Sequence, residues 1–191
     1  MRLISTKTFT LFAAVAACLS LAACGTKKSS YRTAETEGIY LNVGQLKYQV
    51  EISRQLNPAA IAEDRTFTAG LSGGDAQLGQ DEIWFAVFVR VENETSKPQK
   101  PATSFTITDT DGNIYRPLKI DAASNPFAYT DDPVRSKSYI PDPDSVPAQV
   151  GSIGGLELLF KIKRDSLNNR PLELRIKSFF PDDSATDTLD V

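Results

Sequence analysis

Histidine is absent from this 191-residue chain, and its two cysteines, Cys18 and Cys24, both fall within the first 24 residues. Everything after them lacks an imidazole base, a thiol nucleophile, a disulfide and any nitrogen or sulfur ligand for zinc. That subtraction excludes Ser-His-Asp and Cys-His hydrolases, zinc peptidases, haem proteins and blue-copper proteins together. A Ser-x-x-Lys motif and a phosphate-binding glycine loop are missing as well. Basic charge is also scarce. The formal net charge of −3 becomes −5 once residues 1–23, which carry Arg2 and Lys7 and no acid, are set aside. Nucleic acid is therefore not an expected partner, because phosphate neutralisation needs clustered Lys and Arg. The longest basic cluster, Lys161, Lys163 and Arg164, alternates with apolar residues and reads as the wet face of a strand. No amphipathic helix of three turns appears anywhere.

What is present begins with an address. Arg2 and Lys7 form a small basic region, and residues 9–21 are apolar apart from Thr10 and Ser20. That run is too short for a permanent membrane span and has the proportions of a secretory h-region. An ordinary signal peptidase wants small residues at −3 and −1, and Leu21 at −3 suits it poorly. Leu21-Ala22-Ala23-Cys24 instead resembles the lipobox of bacterial lipoproteins. The resemblance implies cleavage between Ala23 and Cys24, diacylglycerol on the Cys24 sulfur, and an extracytoplasmic domain anchored to membrane lipid through Cys24. No Asp follows Cys24, so nothing resembles the inner-membrane retention signal of enteric bacteria. The sequence does not choose between a plasma and an outer membrane. Residues 1–23 are thus expected as a signal peptide and 24–37, polar and aperiodic, as a flexible tether.

The remaining 168 residues suit one domain. Ile39, Leu41 and Val43 alternate with polar neighbours. After a turn at Gly44-Gln45, Leu46, Tyr48, Val50 and Ile52 resume the alternation. Residues 57–82 are rich in Gly and Asp, and Asn57-Pro58 could cap a short helix through Ala59–Glu63. Residues 83–92 give the strongest element. Ile83, Phe85, Val87, Val89 and Val91 share one face, and Trp84, Ala86 and Phe88 make the other partly apolar, which predicts a central strand. Phe105 and Ile107, then Asp109-Thr110-Asp111-Gly112-Asn113, then Ile114, Tyr115 and Leu118 spell a hairpin with Asp-Gly at its turn. Residues 121–150 are irregular. Leu156, Leu158, Phe160 and Ile162 alternate with Glu157, Lys161 and Lys163, and Leu172, Leu174 and Ile176 alternate with Glu173, Arg175 and Lys177. The expected fold is all-β, an immunoglobulin-like antiparallel β-sandwich of about seven strands over residues 38–180, followed by an acidic tail over 181–191.

The segment order also carries a resemblance. The apolar strand at 84–93, the polar Lys-Pro turn, the hairpin 104–115 and the late Gly155-Leu156-Glu157-Leu158-Leu159-Phe160-Lys161-Ile162 strand are similar to an immunoglobulin-like domain of unknown function. That domain is found in many bacterial lipoproteins and secreted proteins. The resemblance implies the sandwich and carries over no catalytic residue.

Three features remain as candidate sites. Prolines and aromatics crowd the loop 125–149, and Phe127, Tyr129, Tyr139 and Ile140 could anchor a partner; alternatively the loop is a crossover whose aromatics tuck onto the sheet. Asp109 and Asp111 head the acidic pairs that could offer oxygen ligands to Ca²⁺, although no twelve-residue calcium loop is present and the hairpin accounts for their spacing. Paired carboxylates could serve a glycosidase-like reaction, but no Asp or Glu stands in a conspicuously apolar setting that would raise its pKa. The sequence thus points to a non-catalytic, membrane-anchored binding module for another cell-envelope protein, with no cofactor. A lipoprotein holding a small molecule or Ca²⁺ is the alternative, and a carboxylate hydrolase trails. Oligomeric state and partner identity are not encoded legibly.

Overall fold

The computed structural model describes residues 31–150 and 153–190. The signal peptide, the cleavage site at Ala23 and Cys24, and the first part of the tether lie outside the described residues. Twelve residues of β-branched and aromatic character, Glu82–Asn93, form the central strand β4. Along one side of it runs the eleven-residue β3 (Leu46–Leu56), antiparallel. Along the other side β8 (Leu156–Lys163) covers Glu82 to Val89, and β7 (Ser138–Ile140) continues the edge at Val91 to Asn93. The short β2 (Leu41–Val43) completes this sheet through the hairpin to β3, where Gly44 supplies the left-handed turn residue at φ 63°.

The second sheet has the order β1 (Thr33–Ala34), β10 (Ser184–Leu189), β9 (Leu172–Lys177), β5 (Ser104–Thr108) and β6 (Ile114–Tyr115). All its pairings are antiparallel except β1 with β10. The fold is the expected all-β sandwich. It has more strands than the seven the pattern suggested: β1 and β7 are only two or three residues long and leave almost no periodic signature, and β10 is too polar to show one.

Between the sheets lies the main core. Ile83, Phe85, Val87, Val89 and Val91 of β4 face Phe105, Ile107, Leu172, Leu174 and Ile176 of the second sheet. Burying each such side chain stabilises the fold by about 1.5–3 kcal/mol. The opposite face of β4 is covered too. Ala86 and Phe88 join Leu56, Phe67, Phe127 and Leu159 in a second core beneath the segments 57–72 and 117–128. Phe67 sits there edge-on to Phe88 at 5.0 Å and to Phe127 at 4.9 Å. This second layer explains why both faces of β4 read as apolar.

Strand β3 serves both cores because of a β-bulge. Val50 stands opposite Val89, but Ile52 stands opposite Phe88, so Glu51 is the extra residue. A one-residue insertion flips every later side chain. Ile52 therefore packs against the second core rather than continuing the face of Leu46, Tyr48 and Val50.

Three expected boundaries need correction. Helix α1 occupies Asp64–Phe67, not Ala59–Glu63. Asn57 caps a turn instead, its carbonyl accepting from Ile61 N at 2.8 Å and its side chain from Ala60 N at 3.3 Å. The tether expected over 24–37 ends earlier, since Tyr31 pairs with Leu41 and Thr33 with Thr186. The supposed acidic tail contains β10, whose Ala185, Asp187 and Leu189 point inward. Its only apolar residues between Ser184 and Leu189 are Ala185 and Leu189, too few to announce a strand.

The hairpin between β5 and β6 was legible. Gly112 adopts φ 80° at its tip with no atom near a would-be Cβ, so the backbone, not space, demands glycine. Gly112→Ala is expected to cost about 1 kcal/mol, measurable as a shift of the urea midpoint at unchanged slope.

Candidate functional site

A cleft lies where the segment 117–131 crosses the outer edge of β8. Backbone bonds hold that segment in place: Leu118 N donates to Leu159 O at 2.7 Å, Glu157 N to Phe127 O at 2.6 Å, and Tyr129 N to Glu157 O at 3.0 Å. A loop pinned this way satisfies the edge of β8 and leaves a gap between its two contacts with the strand. The gap is an open cleft of about 560 Å³. Phe105, Leu118, Ile120 and Leu158 give it apolar walls, while Thr103, Lys119, Thr130, Asp131 and the nearly buried Glu157 contribute polar lining.

One wall is fixed by two tyrosines. Tyr129 stands edge-on to Phe105 at 5.1 Å and donates its hydroxyl to Ala102 O at 2.8 Å. The Tyr48 hydroxyl accepts from Ala102 N at 2.6 Å. Burial pushes the Tyr48 phenol up to about 12, and burial followed by the neighbouring Tyr48 pushes the Tyr129 phenol well above its usual value. Both rings are therefore neutral structural supports at physiological pH.

The aromatics of the long loop do not converge on one surface. Phe127 is buried in the second core, and Tyr129 is committed to Phe105 and Ala102. Tyr139 and Ile140 lie on β7 opposite Glu92 and Val91, with the Arg90 guanidinium 5.3 Å from the Tyr139 ring centre. The reason is the pinning itself: backbone pairing to β8 and β4 turns Phe127, Tyr129 and Ile140 onto the cores, while Tyr139, next to Ile140 on the strand, stays half-buried on the opposite face. Of the four, Tyr129 alone lines the cleft.

Asp109 and Asp111 are likewise spent on architecture. Asp109 Oδ1 accepts from Asp111 N at 3.1 Å and Asn113 N at 2.9 Å, and Oδ2 accepts from Ser166 Oγ at 2.6 Å and Asn113 Nδ2 at 2.8 Å. Burial opposes ionisation there, but these hydrogen bonds outweigh it and hold the carboxyl below its usual range. Asp111 Oδ2 accepts from Asn169 Nδ2 at 2.6 Å, tying the hairpin to the chain before β9. Among the described residues, no three His, Cys, Asp or Glu side chains are grouped to hold a metal ion. The basic cluster is scattered as a wet strand face: Lys161 Nζ donates to Gly74 O at 2.8 Å, and Lys163 Nζ to Asn113 Oδ1 at 3.3 Å.

Two carboxyl groups do stand in apolar settings, contrary to the sequence reading. Glu157 of β8 is 1 % exposed, on the second-core side with Asn125. Burial, only partly offset by the Asn125 amide at 3.2 Å and the charge of Arg54, raises it to about 8. Asp187 of β10 is fully buried with no hydrogen bond to either oxygen. Burial, then Glu37 and Asp190, raises it to about 8 as well. The Leu-Glu-Leu-Leu run around Glu157 was the available signal, masked by reading the strand as one-sided. Near Glu157, the fully buried Asp64 binds Arg54 Nη2 at 2.6 Å and Asn57 N at 2.6 Å. Asp64 is closed to solvent and joins the two layers, whereas Glu157, although 1 % exposed, also borders the cleft.

Comparison with known proteins supports the fold and stops there. No protein-family model and no curated protein matches the chain. Among solved structures, the yjhA protein from Bacillus subtilis is similar, with 11 % identity, a TM-score of 0.50, and coverage of 82 % of this chain and 99 % of that one. An uncharacterized β-sandwich protein from Clostridium difficile aligns over 85 % of this chain and 99 % of its own, at 8 % identity and a TM-score of 0.44.

Proposed function

We propose that this protein is a lipid-anchored, extracytoplasmic recognition module that binds another envelope protein without catalysis. The observation that carries the binding role is the cleft beside β8, whose apolar walls and polar lining suit an inserted side chain or short segment. The anchor rests on Leu21-Ala22-Ala23-Cys24, and the likeness to an immunoglobulin-like domain common in bacterial lipoproteins agrees with it. The cleft volume also falls among those of small-molecule sites. A captured apolar solute is therefore the second reading.

The test is a crosslinking pull-down of the tagged protein from intact cells, read by mass spectrometry beside Cys24→Ala and Thr103→Trp. Thr103 is exposed at the cleft, so a bulky side chain there fills the space without disturbing the core. One recurrent partner should fall about tenfold in recovery with Thr103→Trp, the equivalent of about 1.4 kcal/mol. Equal recovery from both would remove the cleft from the reading. A co-purifying small molecule in native mass spectra, with no protein partner, would promote solute capture.

A further inference from the structure

At one end of the sandwich the turn between β9 and β10 presents two consecutive phenylalanines to solvent. Phe179 and Phe180 are each 55 % exposed. The turn that carries them is well fixed. Ser178 N donates to Asp183 O at 2.9 Å, Phe180 N to Ser178 Oγ at 3.0 Å, and Gly44 N to the Asp183 carboxylate. Asp182 adopts φ 60°, a left-handed conformation unusual outside glycine. A pinned turn holding two large apolar side chains in water is costly unless something covers them.

The chain's own connectivity says what lies nearby. Arg32 binds the Asp183 carboxylate and donates to Ser184 O at 3.4 Å, so the N-terminal segment enters the domain beside this turn. Tyr31, the first described residue, is itself 53 % exposed. Tyr31 follows Cys24 by seven positions. A fully extended chain of that length spans at most about 25 Å. A lipid on Cys24 therefore keeps this end of the domain within roughly that distance of the bilayer, less than the thickness of the hydrocarbon core. Cations accompany the aromatics: exposed Arg32, and Lys100, whose ammonium stands 5.3 Å from the Phe179 ring centre. Phenyl rings beside Lys and Arg suit the boundary between headgroups and acyl chains.

We propose that the Phe179-Phe180 turn is a membrane-docking tip that inserts into the lipid surface and fixes the orientation of the domain on its anchor. The proposal rests on the lipid-anchor reading above. Docking turns a swinging domain into one that holds the far hairpin, with Ile114, away from the bilayer. Ile114 is 57 % exposed on β6, at the other end of β5 from Ser104, which pairs with Lys177 just before the tip.

The test uses the full mature protein, purified from membranes and reconstituted in vesicles of phosphatidylcholine and phosphatidylglycerol with or without brominated acyl chains. Phe180→Trp and Ile114→Trp are compared with the parent, whose single tryptophan is Trp84. Intact-mass measurement first establishes whether Cys24 carries diacylglycerol. With lipid present, bromine should remove roughly half of the added emission of Phe180→Trp and none of that of Ile114→Trp. Equal quenching of the two variants overturns the tip. So does a blue-shifted, unquenched Phe180→Trp emission, which would show protein rather than lipid covering the turn. An unmodified Cys24 overturns the anchor, and the tip with it.

Discussion

Asp64→Ala is expected to lower the unfolding free energy by about 3–5 kcal/mol, because it strands a charge under the outer layer. Asp64 is fully buried and grips Arg54 Nη2 through one oxygen and Asn57 N through the other, both at 2.6 Å. Arg54 also stacks on Phe67 at 5.4 Å, so its guanidinium belongs to the second core and has little freedom to leave. Removing the carboxylate leaves that guanidinium half-desolvated and the Asn57 amide unpaired. Urea unfolding at pH 7 measures the loss directly. A double variant, Arg54→Met with Asp64→Leu, should recover most of it, since replacing both partners by apolar groups is often close to neutral. A loss below about 1 kcal/mol for the single change would mean the pair behaves like an exposed one.

Asp187→Asn should act in the opposite direction, and only above mildly acid pH. The folded carboxyl titrates at about 8, through burial first and then Glu37 and Asp190. In the unfolded chain an aspartate titrates near 3.9. Between those values the folded protein holds a proton that the unfolded chain has released, so stability falls as pH rises. The contribution is complete below about pH 4 and is lost as pH passes through about 8. Glu157, also raised to about 8, adds a decline of the same sign. Full linkage for Asp187 would approach about 5 kcal/mol. Relaxation of the fold around the charged form reduces that, so the expected gain of the asparagine variant is about 2–3 kcal/mol at pH 8 and nothing near pH 4. Thermal unfolding across that range decides it: parallel curves for the two proteins would show Asp187 ionised in the fold.

Periodicity revealed the long strands because their side chains alternate between a filled core and something else. β4, β8 and β9 were visible in this way, and the hairpin at Gly112 followed from its turn chemistry. The pattern misled wherever a backbone event changed the face. At Glu51 one extra residue sends Ile52 to the second core, and nothing in the local composition marks the insertion. Glu157 looked like the wet side of β8 because the second layer that covers it comes from distant segments, 57–72 and 117–128. β10 was hidden by its polarity, with an aspartate at the central inward position. The cleft was illegible for a related reason. Its walls come from β5, β8 and the segment 117–131, and only Tyr129 had been singled out.

The pairing of β1 with β10 also dictates an order of events during synthesis. Thr33 lies against Thr186, and Asp190 N donates to Glu37 Oε1 across 153 positions. No part of this seam can close until almost the whole chain exists, and contacts so distant in sequence form slowly. The segment 31–37 therefore waits, unpaired on that side, while residues 38–177 assemble their own sheets. A chain ending before Ser184 would lack β10, and residues 33–34 would have no strand to join. The last strand made is thus what locks the first segment down.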